Sequence, residues 1–189
     1  TLGVIGAGAQ AHWQTRAIAT VTELDDVRVY SPSDSRIECA DDLTAEGIPA
    51  RAVDTPGAAV AGADTVVTAT TATAPVFPAD TLDPGTLVVA VGAFTVEMQE
   101  LDPAVLDGST AVFADVPDEA AETGDLLASD LGVADLIPFG DLVSGRRSPP
   151  DGAATPVVVS VGSATLDAAA GAAVYRRAVE AGDGTTVPL

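Results

Sequence analysis

The sequence contains no lysine. Its eight basic residues are all arginines, set against 28 aspartates and glutamates, for a formal net charge of -20 at pH 7. A surface so negative repels nucleic acid and anionic membranes, which excludes both as partners. The acids run from Asp25 and Asp41 through Asp64, Asp83, Asp107 and Asp130 to Asp151 and Asp183, so they form no acidic tail. Hydrophobic residues make up 47% of the chain, and this excludes disorder despite the charge. What remains is an acidic globular surface of the kind carried by proteins of salt-accumulating microbes, where carboxylates stay hydrated and salt screens their repulsion. A cytoplasmic protein adapted to high salt is the expectation.

Other scarcities narrow the reading. Cys39 is the single cysteine, so no internal disulfide can form, and it reads as a small apolar helix residue. His12 is the single histidine, and one Cys with one His excludes a structural zinc cluster. Aromatics are only 4%, so the core must be built from Val, Ala, Leu and Ile, which suits a parallel sheet covered by helices. No stretch approaches the roughly 18 apolar residues of a membrane span, and no signal peptide is visible. The chain starts Thr1-Leu2 without an initiator Met, directly on a strand pattern, as the back part of a longer protein would. Its 189 residues suffice for one domain and a small appendage.

What is present is an alternation of strand and helix patterns, as a doubly wound α/β sheet requires. "TLGVI" reads as a buried strand, 9–23 as a helix, "VRVYS" as a second strand and 35–46 as a helix stopped by Gly47. "ARAV" is a short third strand, followed by an alanine-rich helix up to Gly62. "DTVVTAT" and "GTLVVAVGA" read as central parallel strands, and "STAVFADV" as a sixth. The segment "PDEAAETGDLLASDLGVADLI" reads as one or two short helices with loops, and 144–156 as a polar Pro/Gly-rich connector. "VVVSVG" is a last strand before a long final helix with many small residues. The expected fold is Rossmann-like: a mainly parallel sheet with helices on both faces, over residues 1–162.

The first strand leads into Gly6, Gly8 and Ala11, a G-x-G-x-x-A turn that opens a helix. Glycines let the backbone turn tightly and approach a pyrophosphate, and the helix N-terminus offers free N–H groups to it. An acid that would grip the ribose hydroxyls is expected about 20 residues beyond Ala11, at the end of the second strand. Ser31 stands there instead, followed by Ser33, Ser35 and Arg36. Hydroxyls and a guanidinium suit a 2′-phosphate better than a 2′-hydroxyl, so the cofactor expectation leans to NADP, with NAD possible. Arg36 can equally be a solvated helix residue.

Beyond the turn, "GVIGAGAQA", "ADTVVTATTATAPVF", "PGTLVVAVGAFTVEMQELD", "ETGDL" and "SVGSATLDAAAGAAV" occur in this order. Together they resemble the ornithine cyclodeaminase and mu-crystallin family, which includes archaeal alanine dehydrogenases and ketimine or pyrroline-2-carboxylate reductases. The resemblance covers nearly the whole chain. It implies an NAD(P) domain, a separate substrate domain built mainly from a preceding region, and a homodimer formed through that region. Residues 163–189, the final helix and tail, would then pack on that region. It also implies that Gly6, Gly8, Ala9 and Gln10 meet the pyrophosphate, that Thr70 lies along the adenosine half, and that Val91 and Gly92 lie near the nicotinamide.

The departures from the family matter as much. Members that cyclise ornithine carry an Asp where this chain has Phe94, and Phe can neither exchange a proton nor position a water. Phe94 is either core or an apolar wall beside the nicotinamide. Gln99 and Val159 stand where the family usually has Arg and often has Lys. The family's catalytic Lys and carboxylate-binding Arg precede the glycine turn, so no catalytic residue is assigned in this chain. Asp167 matches a family position near substrate, or serves the final helix's N-terminal end. The implied activity is NAD(P)H-dependent reduction of a small cyclic imino acid. The alternatives are ornithine cyclodeaminase or alanine dehydrogenase activity, and non-catalytic nucleotide binding of the mu-crystallin type.

Three smaller readings complete the sequence. His12 can act as a general acid or simply stand at the surface. Trp13 reads as a packing residue. Asp115, Glu122, Asp125 and Asp130 can be read as oxygen ligands for a cation, or as solvated charge.

Overall fold

The computed structural model describes residues 1–151, 154–185 and 187. Eight strands form one sheet: β1 (Leu2–Ile5), β2 (Val27–Tyr30), β3 (Ala50–Ala52), β4 (Thr65–Thr68), β5 (Leu87–Ala90), β6 (Ala111–Ala114), β7 (Leu136–Pro138) and β8 (Pro156–Val159). Between and after them run α1 (Ala9–Ala19), α2 (Ser35–Ala45), α3 (Pro56–Val60), α4 (Pro103–Asp107), α5 (Pro117–Ala120), α6 (Gly124–Leu127), α7 (Phe139–Val143) and α8 (Ala164–Ala181). The strand order is β3-β2-β1-β4-β5-β8-β6-β7, and the pairings are parallel. This is the Rossmann-like α/β architecture that the alternation implies.

The strands are short and β-branched because both faces of the sheet are covered. On one face Leu2, Val4, Val27, Val29 and Val67 pack with Ala11, Cys39 and Leu43 of α1 and α2. On the other, Ile5, Val66, Val88, Val112 and Val157 pack with Ala59, Leu101, Leu106 and Leu126. Alternate residues of β1 thus feed opposite cores, as the period of two demands.

Several sequence expectations shift. Helix α1 stops at Ala19 rather than residue 23, because Thr20 turns its hydroxyl onto the Ala17 carbonyl and caps the end. "GVADLI" is not helical throughout: Leu136–Pro138 forms β7 on the sheet edge beyond β6. Three residues with a proline carry too little periodicity to announce a strand. Trp13 is 64% exposed with the Arg16 guanidinium over its ring, so it is no core residue. The connector expected at 144–156 contains Gly152 and Ala153, and the expected tail contains Thr186, Pro188 and Leu189, which lie outside the described residues.

The position of β8 decides most for function. It returns to lie between β5 and β6, which carries the following loop, Ser160–Gly162, back over the middle of the sheet. Helix α8 then leaves the sheet: every residue from Ala164 to Arg177 is exposed.

Candidate functional site

A cleft of about 910 Å³ lies along the C-terminal ends of β1, β2, β4, β5 and β8, spanning the point where strand order reverses. Ligands of such sheets bind at this crevice. Its floor is the β1–α1 turn. Gly6 has φ +118°, and a Cβ there would strike the Ala69 carbonyl at the end of β4. Only glycine fits both restrictions. Gly8 caps α1 with extended backbone, no side chain caps the helix, and its first turn holds no acid. The N–H groups of that turn therefore face the cleft without a side-chain acceptor, with the positive end of the helix dipole behind them.

The residues expected to hold a cofactor fall into two groups. Gly6, Gly8, Ala9, Gln10, Ser31, Thr70, Val91 and Gly92 line the cleft. Ser33 and Arg36 do not. They sit just behind Ser31, which donates to the Ser33 carbonyl and lies 2.9 Å from the Ser35 hydroxyl. Arg36 donates to the Ser33 carbonyl at 2.8 Å and to Asp54 at 3.2 Å, with Asp34 at 3.7 Å. Phe94 lines the cleft and is 61% exposed, which makes it a wall and not core. Asp167 lies exposed in the first turn of α8, away from the cleft lining; the cap there is Ser163, which accepts from Thr165. Ser160, Val161 and Gly162 line the cleft as well, a contribution that depends on where β8 inserts.

Among the described residues, no lining side chain is charged. In a chain with 28 acids, the cleft lining carries no carboxylate. A dinucleotide's phosphates can enter without meeting like charge, and backbone N–H groups alone would hold them.

The carboxylates nearest the cleft lie beneath it. Glu100 is fully buried. One of its oxygens accepts from the Thr70 backbone at 2.6 Å, and the other from Gly92 N–H at 2.8 Å and the Thr68 hydroxyl at 2.9 Å. Asp125, also fully buried, accepts at 2.7 and 2.8 Å from the backbone N–H groups of Glu100 and Leu101. Its other oxygen has no partner, and burial pushes the carboxyl up to about 6 against two lowering backbone hydrogen bonds, with the Glu100 charge adding to the rise. Asp115 accepts from Ser160 Oγ, Val161 N–H and Gly162 N–H, fastening the β8–α8 loop. Asp115 and Asp125 are thus structural acceptors rather than solvated charge. The sequence did not single out Glu100; its place between the apolar Met98 and Leu101 in "VEMQELD" was the available signal, and the structure buries Leu101 completely.

Other expectations fall away from the site. Gln99 is tied to the Leu101 carbonyl, and Val159 is sheet core. His12 finds partners the sequence did not show: Nδ1 lies 3.0 Å from the Gly8 carbonyl and Nε2 lies 3.5 Å from Asp42 of α2. Cys39 Sγ is 3.7 Å from the same Nδ1, but burial pushes this thiol up to about 11, so it is no nucleophile. Among the described residues, no helix is long and apolar enough to cross a membrane.

Comparison with known proteins agrees with this geometry. The model of the ornithine cyclodeaminase/mu-crystallin family matches residues 1–182. Delta(1)-pyrroline-2-carboxylate reductase of Bacillus cereus is 33% identical over 196 residues, covering 99% of this chain and 60% of that protein. Ketimine reductase mu-crystallin of Macropus fuliginosus is 30% identical over 175 residues, covering 92% of this chain and 54% of that one. The structure of Thermococcus litoralis Delta(1)-pyrroline-2-carboxylate reductase in complex with NADH and L-proline superposes with a TM-score of 0.91 at 26% identity, over 98% of this chain and 60% of the other. The chain spans about 60% of the length of the reductases it matches. With a family model over residues 1–182 and a shared fold around the cleft, the chain belongs to the ornithine cyclodeaminase/mu-crystallin family.

Proposed function

We propose that this chain is the nicotinamide-cofactor domain of an NAD(P)H-dependent reductase acting on a small cyclic imino acid, a ketimine or pyrroline-2-carboxylate. The observation that carries the reading is the uncharged cleft over the uncapped N-terminus of α1, shared in fold with a reductase that holds NADH and proline. When bound, the nicotinamide supplies the hydride. Gly6, Gly8, Ala9 and Gln10 take the pyrophosphate on backbone N–H groups, Thr70 flanks the dinucleotide, and Val91 and Gly92 back the nicotinamide. Phe94 presents an apolar wall where a carboxylate would serve cyclodeamination. The imino acid would be bound and protonated by a region outside this chain, against which the exposed α8 and Asp167 pack, in a homodimer.

Ser31, Ser33 and Arg36 favour NADP at the ribose end. No acid ends β2, and among the described residues the Arg36 guanidinium is paired with Asp34 and Asp54, 92% and 93% exposed, which a 2′-phosphate can displace. The test follows NADPH oxidation by the full-length protein in molar KCl with pyrroline-2-carboxylate, with ornithine and with pyruvate plus ammonia as alternatives. Turnover of the first is expected. Bound cofactor without turnover on any substrate shifts the reading to a nucleotide-binding protein. NADPH should bind more tightly than NADH, and R36A should erase the difference; tighter NADH in the unaltered protein rejects the preference.

A further inference from the structure

Two loops must keep a fixed separation for a dinucleotide to lie across the strand-order reversal: the one after β4, carrying Thr70, and the one after β5, carrying Gly92. Adjacent parallel strands set their spacing only as far as Thr68 and Ala90, where the ladder ends. Just past it Val91 N–H still donates to the Thr68 carbonyl, and the Thr70 and Gly92 backbones beyond are bridged by one carboxylate. Glu100 accepts from Thr70 N–H with one oxygen and from Gly92 N–H and the Thr68 hydroxyl with the other. Gly92 has no room for a Cβ, which would strike the Thr70 carbonyl and the Glu100 carboxylate.

We propose that Glu100 is a positioning residue for the cofactor cleft: its buried carboxylate clamps the Thr70 and Gly92 backbones together, and Asp125 holds the clamp in place. The proposal rests on the cleft being a dinucleotide site, as argued above.

The chemistry is unusual in one respect. Among the described residues no cation pairs with Glu100, although an unpaired buried charge is costly. Three aimed donors compensate it, two of them backbone amides. A carboxylate can accept from both loops at once, whereas a glutamine must turn an NH2 donor toward one of those donors. The segment bearing Glu100 is itself laced to the β4 loop: Val76 N–H donates to the Glu100 carbonyl and Gln99 N–H to the Ala72 carbonyl. Asp125 then accepts from the Glu100 and Leu101 amides. The chain of contacts runs from α6 through Asp125 and Glu100 to the two loops. None of these acids touches the ligand space.

The test compares E100Q and T68V with the unaltered protein in molar KCl by two measurements. Amide hydrogen exchange at Thr70 and Gly92 reads the clamp without ligand, and direct fluorescence titration with NADH and NADPH reads its consequence. E100Q should lose protection at both amides and weaken nucleotide binding about tenfold or more, because it leaves a buried donor facing another donor. T68V nearly keeps the side-chain volume and removes one of the three donors; it should speed exchange at Gly92 more than at amides of the distant β2 and weaken binding a few-fold, with a modest fall in thermal midpoint. If E100Q does not fold, T68V alone decides. Unaltered exchange and affinity in the folded variants overturn the clamp. Failure of the unaltered protein to bind either nucleotide overturns the dinucleotide reading instead, and the exchange data still judge the clamp separately.

Discussion

Gly6 answers to two restrictions at once, a φ of +118° and a carbonyl where a Cβ would go. G6A should therefore lose about 2 kcal/mol or more of stability or, if it folds, bind nucleotide at least about tenfold more weakly, as chemical denaturation and NADH titration would show. The first restriction was legible in the glycine spacing; the second needed β4 laid beside β1. Asp125 yields a prediction about pH. Its carboxyl moves from 3.8 to about 6 on folding, so the folded chain holds this proton more tightly than the unfolded one. Its contribution is fully favourable below pH 4 and is lost as pH rises through about 6, a swing of up to about 3 kcal/mol. D125N removes the swing. Denaturation midpoints at pH 4.5 and 7 in molar KCl should fall with rising pH more steeply in the unaltered protein than in D125N; equal pH responses would reject the burial argument. Asp26 runs the other way: the Arg51 guanidinium, aided by Arg28, holds it down to about 2, so its contribution disappears only as the solution is acidified through that range.

At the scale of elements, pattern length governed what could be read. β1, β4 and β5 are runs of β-branched residues between turn signals, and α1 and α2 are long enough to show their period, so the sequence places them closely. β7 and α5 to α7 are three to five residues each, too short for any period, and they take shape by packing on neighbours. Helix α8 is the opposite case, plain in sequence and unpartnered in structure. Leu166, Val174, Tyr175 and Val179 are all more than half exposed, so the helix contributes little burial to the sheet domain. Deleting residues 164–189 should change the thermal midpoint by no more than a few degrees and leave NADH affinity intact, while abolishing the dimer proposed for the full-length protein. Analytical ultracentrifugation and differential scanning calorimetry would check both; a collapsed midpoint would place α8 in the core of this domain.

For the whole molecule, 28 acids against eight arginines leave repulsion that water alone does not screen. The Debye length falls from about 10 Å at 0.1 M to about 3 Å at 1 M salt, so repulsion between surface carboxylates farther apart than that is largely screened. The thermal midpoint should rise by about 10 °C or more between 0.1 and 2 M KCl, and by much less if the surface acids are replaced by glutamine; a flat response rejects salt adaptation. The sequence alone determined the composition of the core, the Rossmann-like succession of strands and helices, the glycine turn and the missing acid at Ser31, because each is written in neighbouring residues through period, spacing or turn chemistry. Only the tertiary structure decided that β8 inserts between β5 and β6 and brings Ser160 to the cleft, that Asp42 faces His12, and that Glu100 and Asp125 lie beneath the cleft rather than in solvent. Those relations join residues 25 to 69 positions apart in the chain, or turn on which face a strand presents, and no local pattern encodes them.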